Sequence, residues 1–166
     1  DWSSDVCLRV ENRLLGAGPT VVDMMANAAF YFGMVRSLVE DERPIWSQMS
    51  FSAAEENFHT AARDGISATQ YWPGYGEVPS TELVLRRLLP SAHRGLESWG
   101  VPTAERERLL GIIEQRCVKQ TNGAEWYVNQ VAARERAGED RIEALRRVLA
   151  DYRVNMHSNE PVHTWS

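Results

Sequence analysis

Polarity alternates from Leu8 to Leu15. Leu8, Val10, Asn12 and Leu14 share one side, and Arg9, Glu11 and Arg13 share the other, which is the two-residue period of a strand. Gly16, Gly18 and Pro19 then break the pattern, and Thr20 with Asp23 three residues on predicts a helix start. That helix extends to about Glu40. Met24, Met25, Ala28, Phe30, Tyr31, Met34 and Val35 surround it almost completely, so it is expected to pack on several sides, against partners that this stretch of chain does not all supply.

The rest reads as helices separated by turn residues. A loop with Arg43 and Pro44 leads to a second helix, predicted to open on a Ser52/Glu55 capping box and to close at Gly65. Residues Ala68 to Pro79 hold Tyr71, Trp72 and Tyr75 among glycines and prolines, and predict an ordered irregular loop of the kind that often carries function. A third helix, Ser80 to Trp99, is expected to kink or break at Pro90 and to stop at Gly100. A fourth runs from near Thr103 to before Asn122-Gly123. Asn122 and Glu125 cap a fifth, and Gly138 separates it from a sixth, Asp140 to about Val154, with a stripe of Ile142, Leu145, Leu149 and Tyr152. The expectation is a mostly α-helical chain, one N-terminal strand plus about six helices. Because a lone strand does not stabilise itself, its sheet partners are expected to lie outside this stretch.

Composition places the chain among ordinary globular domains, at 43% hydrophobic and 25% charged residues. The net charge of −5 and the scattered arginines give no basic block, so no nucleic-acid partner is expected. The most apolar run, Val21 to Val39, is interrupted by Asp23, Asn27 and Arg36 and predicts a buried helix, not a membrane span. Cys7 and Cys117 do not make a disulfide framework, which fits a cytoplasmic setting. Residues 1–7, DWSSDVC, resemble the translation of a common sequencing adapter. On that reading the natural sequence begins at Leu8, and residues 8–166 are the C-terminal part of a single domain.

The sharpest chemistry is the charged side of the strand. Arg9, Glu11 and Arg13 project from one face with alternate residues about 6.8 Å apart. A carboxylate between guanidiniums, joined by a divalent cation, suits phosphate oxygens. A solvated outer face of a half-buried strand is the alternative.

The run LRVENRLLGAGPTVVDMMANAAFYFG, residues 8–33, resembles the end of the catalytic sheet in the glutamine synthetase and glutamate-cysteine ligase superfamily, where a Glu-x-Arg strand precedes a Gly/Pro turn and an Ala-rich helix. A second segment, AEENFHTAARDG from Ala54 to Gly65, is similar to the Glu-Asn-x-x-x-Ala-Ala-Arg-x-Gly pattern of bacterial ligases of this type. Weaker likenesses lie in RCVKQTNGAEW, from Arg116, and in the tail MHSNEPVHTWS, from Met156. A zinc reading of His157 and His163 lacks a local third ligand, and the role of the tail with Trp165 stays open.

The resemblance implies an α+β, glutamine synthetase-like parent fold and an ATP- and Mg²⁺-dependent ligase. In such a ligase a glutamate γ-carboxylate forms an acyl phosphate that the amine of cysteine displaces. It implies Glu11 as metal ligand, Arg13 as the catalytic phosphoryl contact, Arg9 and Arg13 as nucleotide contacts, and Glu56, Asn57 and Arg63 as substrate-binding. From spacing alone, Glu56, His59 and Arg63 share a helix face, for which an exposed Glu56–Arg63 ion pair is the alternative. The other metal ligands would lie upstream, so the isolated chain is expected to be inactive. Two rivals are a helical binding or regulatory module without catalysis, and a ligase of the same fold using another amine or ammonia.

Overall fold

The computed structural model describes residue 11 and residues 18–166, so Arg9, Arg13 and the predicted strand lie outside the described residues, apart from the exposed Glu11. The elements in order are α1 (Val21–Val39), a 3-10 turn (Ile45–Ser47), α2 (Phe51–Asp64), a second 3-10 turn (Gly65–Ser67), β1 (Thr69–Trp72) and β2 (Gly76–Pro79). They continue with α3 (Ser80–Leu83), a π-helical turn (Val84–Leu88), α4 (Leu89–Ser98), α5 (Thr103–Lys119), α6 (Gly123–Arg136), α7 (Arg141–Ser158) and a last 3-10 turn (Val162–Thr164). α3, the π turn and α4 follow one another without a break, so the described residues form six helical rods and a small antiparallel sheet. Among the described residues, no helix is long and apolar enough to cross a membrane.

α1 starts where the sequence predicts. The Thr20 hydroxyl accepts from the Asp23 backbone N–H at 3.1 Å and donates to the Asp23 carboxylate at 2.8 Å, satisfying the first turn reciprocally. α2 starts earlier than expected: its cap is Ser50, whose Oγ accepts from the Ala53 N–H at 3.1 Å, and not Ser52. Ser50 has the extended backbone that a cap requires, and the helix keeps the two extra residues although Phe51 remains 84% exposed.

The expected irregular loop at Ala68–Pro79 is instead a hairpin, with Thr69 opposite Pro79 and Trp72 opposite Gly76. Its turn, Pro73-Gly74-Tyr75, closes with the Tyr75 N–H donating to the Trp72 carbonyl at 3.0 Å, and Gly74 supplies a φ of +80°. The proline and glycine content that suggested a loop marks only the turn. Paired strands this short need outside support, and α2 provides it through Asn57.

The rod from Ser80 to Ser98 answers Pro90 with a wide turn, not a break. Pro90 has no N–H to donate and its ring crowds the carbonyl four residues back, that of Arg86. The helix accommodates this by widening, so that the Leu89 N–H reaches the carbonyl of Val84.

Two hydrophobic clusters form the interior. The larger joins α1, α4 and α5 through Ala26, Met34, Leu89, Ala92, Leu96, Leu110, Ile112 and Ile113. Within it α1 and α4 meet backbone to backbone: a Cβ added at Gly33 would collide with Ala92, and one at Gly95 with Gly33 and Ser37. The smaller joins α6, α7 and the last 3-10 turn through Trp126, Val131, Val148 and Val162, with Trp165 packed edge-on to both Trp126 and Tyr152 and Tyr152 tilted against Trp126. α7 buries only part of its expected stripe: Leu145 and Tyr152 pack against the smaller cluster beside the buried Ala144 and Val148, whereas Ile142 and Leu149 stay 61% and 53% exposed. The helix also runs past Val154 to Ser158 and ends at Asn159 in the left-handed conformation, after which the tail turns back and buries Val162.

α1 is packed on one side only. Ala26, Gly33 and Met34 are buried, but Val21, Met24, Met25 and Phe32 are 60%, 39%, 51% and 49% exposed, leaving an apolar outer face.

Candidate functional site

The residues singled out by sequence do not all converge. Glu11 is exposed, and Arg9 and Arg13 lie outside the described residues. Glu56 and Arg63 are exposed on α2, but Arg63 does not reach back to Glu56. It forms a two-pronged pair with its neighbour Asp64, both contacts at 3.0 Å, while Glu56 accepts from the Thr60 hydroxyl at 3.4 Å. Asp64, hydrogen-bonded to the Arg63 guanidinium, raises its proton affinity further above the ordinary arginine value.

Asn57 turns the other way, toward the hairpin. Its Nδ2 donates to the Tyr71 carbonyl at 2.8 Å, its Oδ1 accepts from the Tyr71 N–H at 2.7 Å, and its own carbonyl accepts from Gln70 Nε2 at 3.2 Å. The side-chain amide thus occupies the place of a neighbouring strand along one residue of β1. In the Asn-x-x-x-Ala-Ala-Arg-x-Gly run, Asn57 fixes the hairpin and Gly65 ends the helix at a φ of +58°, so both have defined structural work.

The fixed hairpin walls a cleft of about 470 Å³. It is bounded by Leu38 and the following segment with Asp41, Arg43, Ile45 and Gln48, by the turn Trp72–Tyr75, and by Arg87 from the π turn. Arg86 and Arg87 diverge: Arg86 pairs with Glu82 at 2.9 Å, whereas Arg87 lines the cleft half-buried. Among the described residues neither the Arg43 nor the Arg87 guanidinium has an ion pair, and Asp41 accepts from the Arg43 backbone N–H at 3.1 Å. Sequence reasoning flagged this aromatic segment but assigned no residue in it. The available signal was a pair of arginines one turn before a helix-interior proline.

The most buried charge lies elsewhere. Asp23 is wholly buried and paired with Arg116, which also donates to Asn27 Oδ1 at 2.7 Å, and the Asp23 carboxylate accepts from the Val162 N–H at 3.1 Å. Arg116 and Asn27 face a second cavity of about 470 Å³ with Asn122 and Tyr152. Burial, then the nearby Asp23 charge, pushes the Tyr152 hydroxyl up from its ordinary value. Cys117, adjacent in sequence, is pushed up to about 11 by burial and is therefore a protonated, inert thiol at neutral pH.

Among the described residues, no group of three or more His, Cys, Asp or Glu is arranged to hold a metal ion. Compared with protein-family models, with curated proteins and with solved structures, the chain shows no match.

Proposed function

We propose that this chain is the C-terminal part of a carboxylate-amine ligase of the glutamate-cysteine ligase type, ATP- and Mg²⁺-dependent as a whole, joining the glutamate γ-carboxylate to the amine of cysteine or a related acceptor. The structural observation that carries the reading is the uncovered apolar face of α1, Val21, Met24, Met25 and Phe32, immediately after the Arg9-Glu11-Arg13 segment. A contiguous apolar stripe of this size calls for a further layer, and a catalytic sheet continuing the 8–15 segment is the layer that the resemblance implies.

On this reading the described residues act as scaffold behind the chemistry. α1 backs the sheet, α2 carries Glu56 and Arg63 outward, and Asn57 holds the hairpin, which makes its part in substrate binding indirect. Glu11 and Arg13 remain the proposed metal and phosphoryl contacts, and Arg9 a proposed nucleotide contact.

The test is the chain joined to its natural upstream sequence, assayed for ATP-dependent γ-glutamyl amide formation with cysteine, ammonia and other amines in competition. Activity that falls by orders of magnitude in Glu11→Ala and Arg13→Ala, with folding intact, is the expected result. Unchanged turnover in both variants sinks the assignment of those roles, and amide formation by the 166-residue chain alone sinks the view that its sheet partners are needed.

A further inference from the structure

Arg87 is held in an unusual electrostatic position. Arg87 is half-buried as a residue, and among the described residues its guanidinium makes no hydrogen bond, ion pair or ring contact. Arginines covered to this degree are ordinarily matched by a neighbour. The comparison within this chain is direct. Arg116 and Arg106, 11% and 12% exposed, are paired with Asp23 and Glu97, and Arg134, 25% exposed, is paired with Glu139 and Asp151. The arginines of α7 without such partners, Arg146 and Arg153, are exposed to water. Arg87 is both sheltered and unmatched.

Its surroundings add a second observation. Arg43, also without an ion pair, lines the same cleft, and Asp41 is the one carboxylate among the lining residues, so the lining carries an excess of one positive charge on a chain whose net charge is −5. Trp72 and Tyr75 add aromatic side chains to the lining, on a hairpin held by its glycine-dependent turn and by the Asn57 clamp. A guanidinium presents paired donors to carboxylate or phosphate oxygens, and aromatic faces favour a flat partner. Arg87 is carried by the π turn that Pro90 enforces, and such turns are frequent where a helix is adapted to a ligand.

We propose that the cleft formed by Arg43, Arg87, Trp72, Tyr75 and Gln48 binds a small planar organic anion, a flat ring bearing a carboxylate or a phosphate. The acid group lies between the two guanidiniums and the ring against Trp72 and Tyr75. Its volume of about 470 Å³ falls within the range of small-molecule sites. The inference uses only described residues and does not rest on the ligase reading.

The experiment is an NMR titration of the full chain with four probes. 4-Hydroxybenzoate and adenosine 5′-monophosphate are the ringed acids, adenosine is a ring without charge, and inorganic phosphate is charge without a ring. Expected are saturable shifts confined to the amides of 41–48, 72–75 and 87 with one or both ringed acids. Adenosine and phosphate should bind at least roughly tenfold more weakly. Which ringed acid binds better distinguishes carboxylate from phosphate. Arg87→Gln should weaken binding by about tenfold or more while Arg146→Gln leaves it unchanged. Trp72→Leu, checked for an intact fold by its spectrum, should weaken the ringed acids without affecting phosphate. The proposal is overturned if neither ringed acid shifts these amides at about 1 mM, the weak end of specific recognition. It is equally overturned if Arg87→Gln and Trp72→Leu bind as the parent does.

Discussion

Asp23 Oδ1 and Arg116 Nη2 stand 2.5 Å apart where the two hydrophobic clusters meet, the carboxylate fully buried and the guanidinium 11% exposed. Through this pair the first turn of α1, the end of α5 and the C-terminal turn at Val162 are held to a single carboxylate. Its strength lies less in the attraction itself than in the penalty for breaking it, since either ion alone would be left buried without compensation. Asp23→Ala should therefore destabilise the chain by about 3–5 kcal/mol. Urea denaturation is the measurement, and a loss under about 1 kcal/mol would mean that the pair behaves as a surface ion pair.

Asn57 makes a separable prediction. Asn57→Ala removes both hydrogen bonds to Tyr71 and leaves its N–H and carbonyl to find water, at a cost of about 1–3 kcal/mol. Hydrogen exchange should report faster exchange at Tyr71 and across β1 and β2, with α5 and α7 unaffected. Exchange that rises uniformly, or not at all, would show that the hairpin does not depend on this clamp.

Much of this arrangement was legible in the sequence; the α2 cap was missed locally, at Ser50 in place of Ser52, and other failures reflect contacts distant in the chain. Helix starts marked by a local cap, Thr20 with Asp23 and Asn122 with Glu125, appear where the residues predict them, because the signal and the hydrogen bond involve the same few positions. The hairpin at 69–79 was not legible as strands in part because Asn57, more than ten residues earlier, braces β1 at Tyr71, a contact that the hairpin's own composition does not signal. On α7 the packed face, Ala144, Leu145, Val148 and Tyr152, follows the helical period, but the small Ala144 and Val148 were passed over in favour of the larger Ile142 and Leu149. For the site, Arg43 and Arg87 are 44 positions apart and come to line one cleft only through the fold, while Arg63, read as part of a polar stripe with Glu56 or as its ion-pair partner, pairs with the nearer Asp64.

Two glycines in helices should respond with opposite sign. Gly95→Ala places a methyl against the backbone of α1 at Gly33 and Ser37, where neither neighbour is a flexible side-chain end, so the helices must separate. A loss of about 1–3 kcal/mol is expected. Gly111, inside α5, has open space around its missing Cβ, and Gly111→Ala should stabilise by roughly 0.5–1 kcal/mol through helix propensity alone. Thermal unfolding of the two variants beside the parent checks both, and equal effects at the two positions would rule out close α1–α4 contact as the reason for Gly95.

His163 gives the chain a pH dependence whose sign can be worked out. Burial, then the nearby Lys119, lowers its proton affinity from the ordinary value of 6.5, with Arg116 adding to the effect and Asp23 opposing it. Its Nδ1 is buried without a hydrogen-bond partner, while Lys119 Nζ donates to its backbone carbonyl at 2.9 Å. A histidine that resists protonation in the folded chain is protonated more readily in the unfolded one. Its contribution to stability is therefore complete above about pH 6.5 and declines as the pH falls toward the lowered native value. Denaturation midpoints followed from about pH 7.5 down to 5 should show this decline in the parent. In His163→Gln, which keeps a polar side chain of similar reach but cannot titrate, that component should disappear. Parallel profiles for parent and variant would mean that the acid sensitivity arises at other residues.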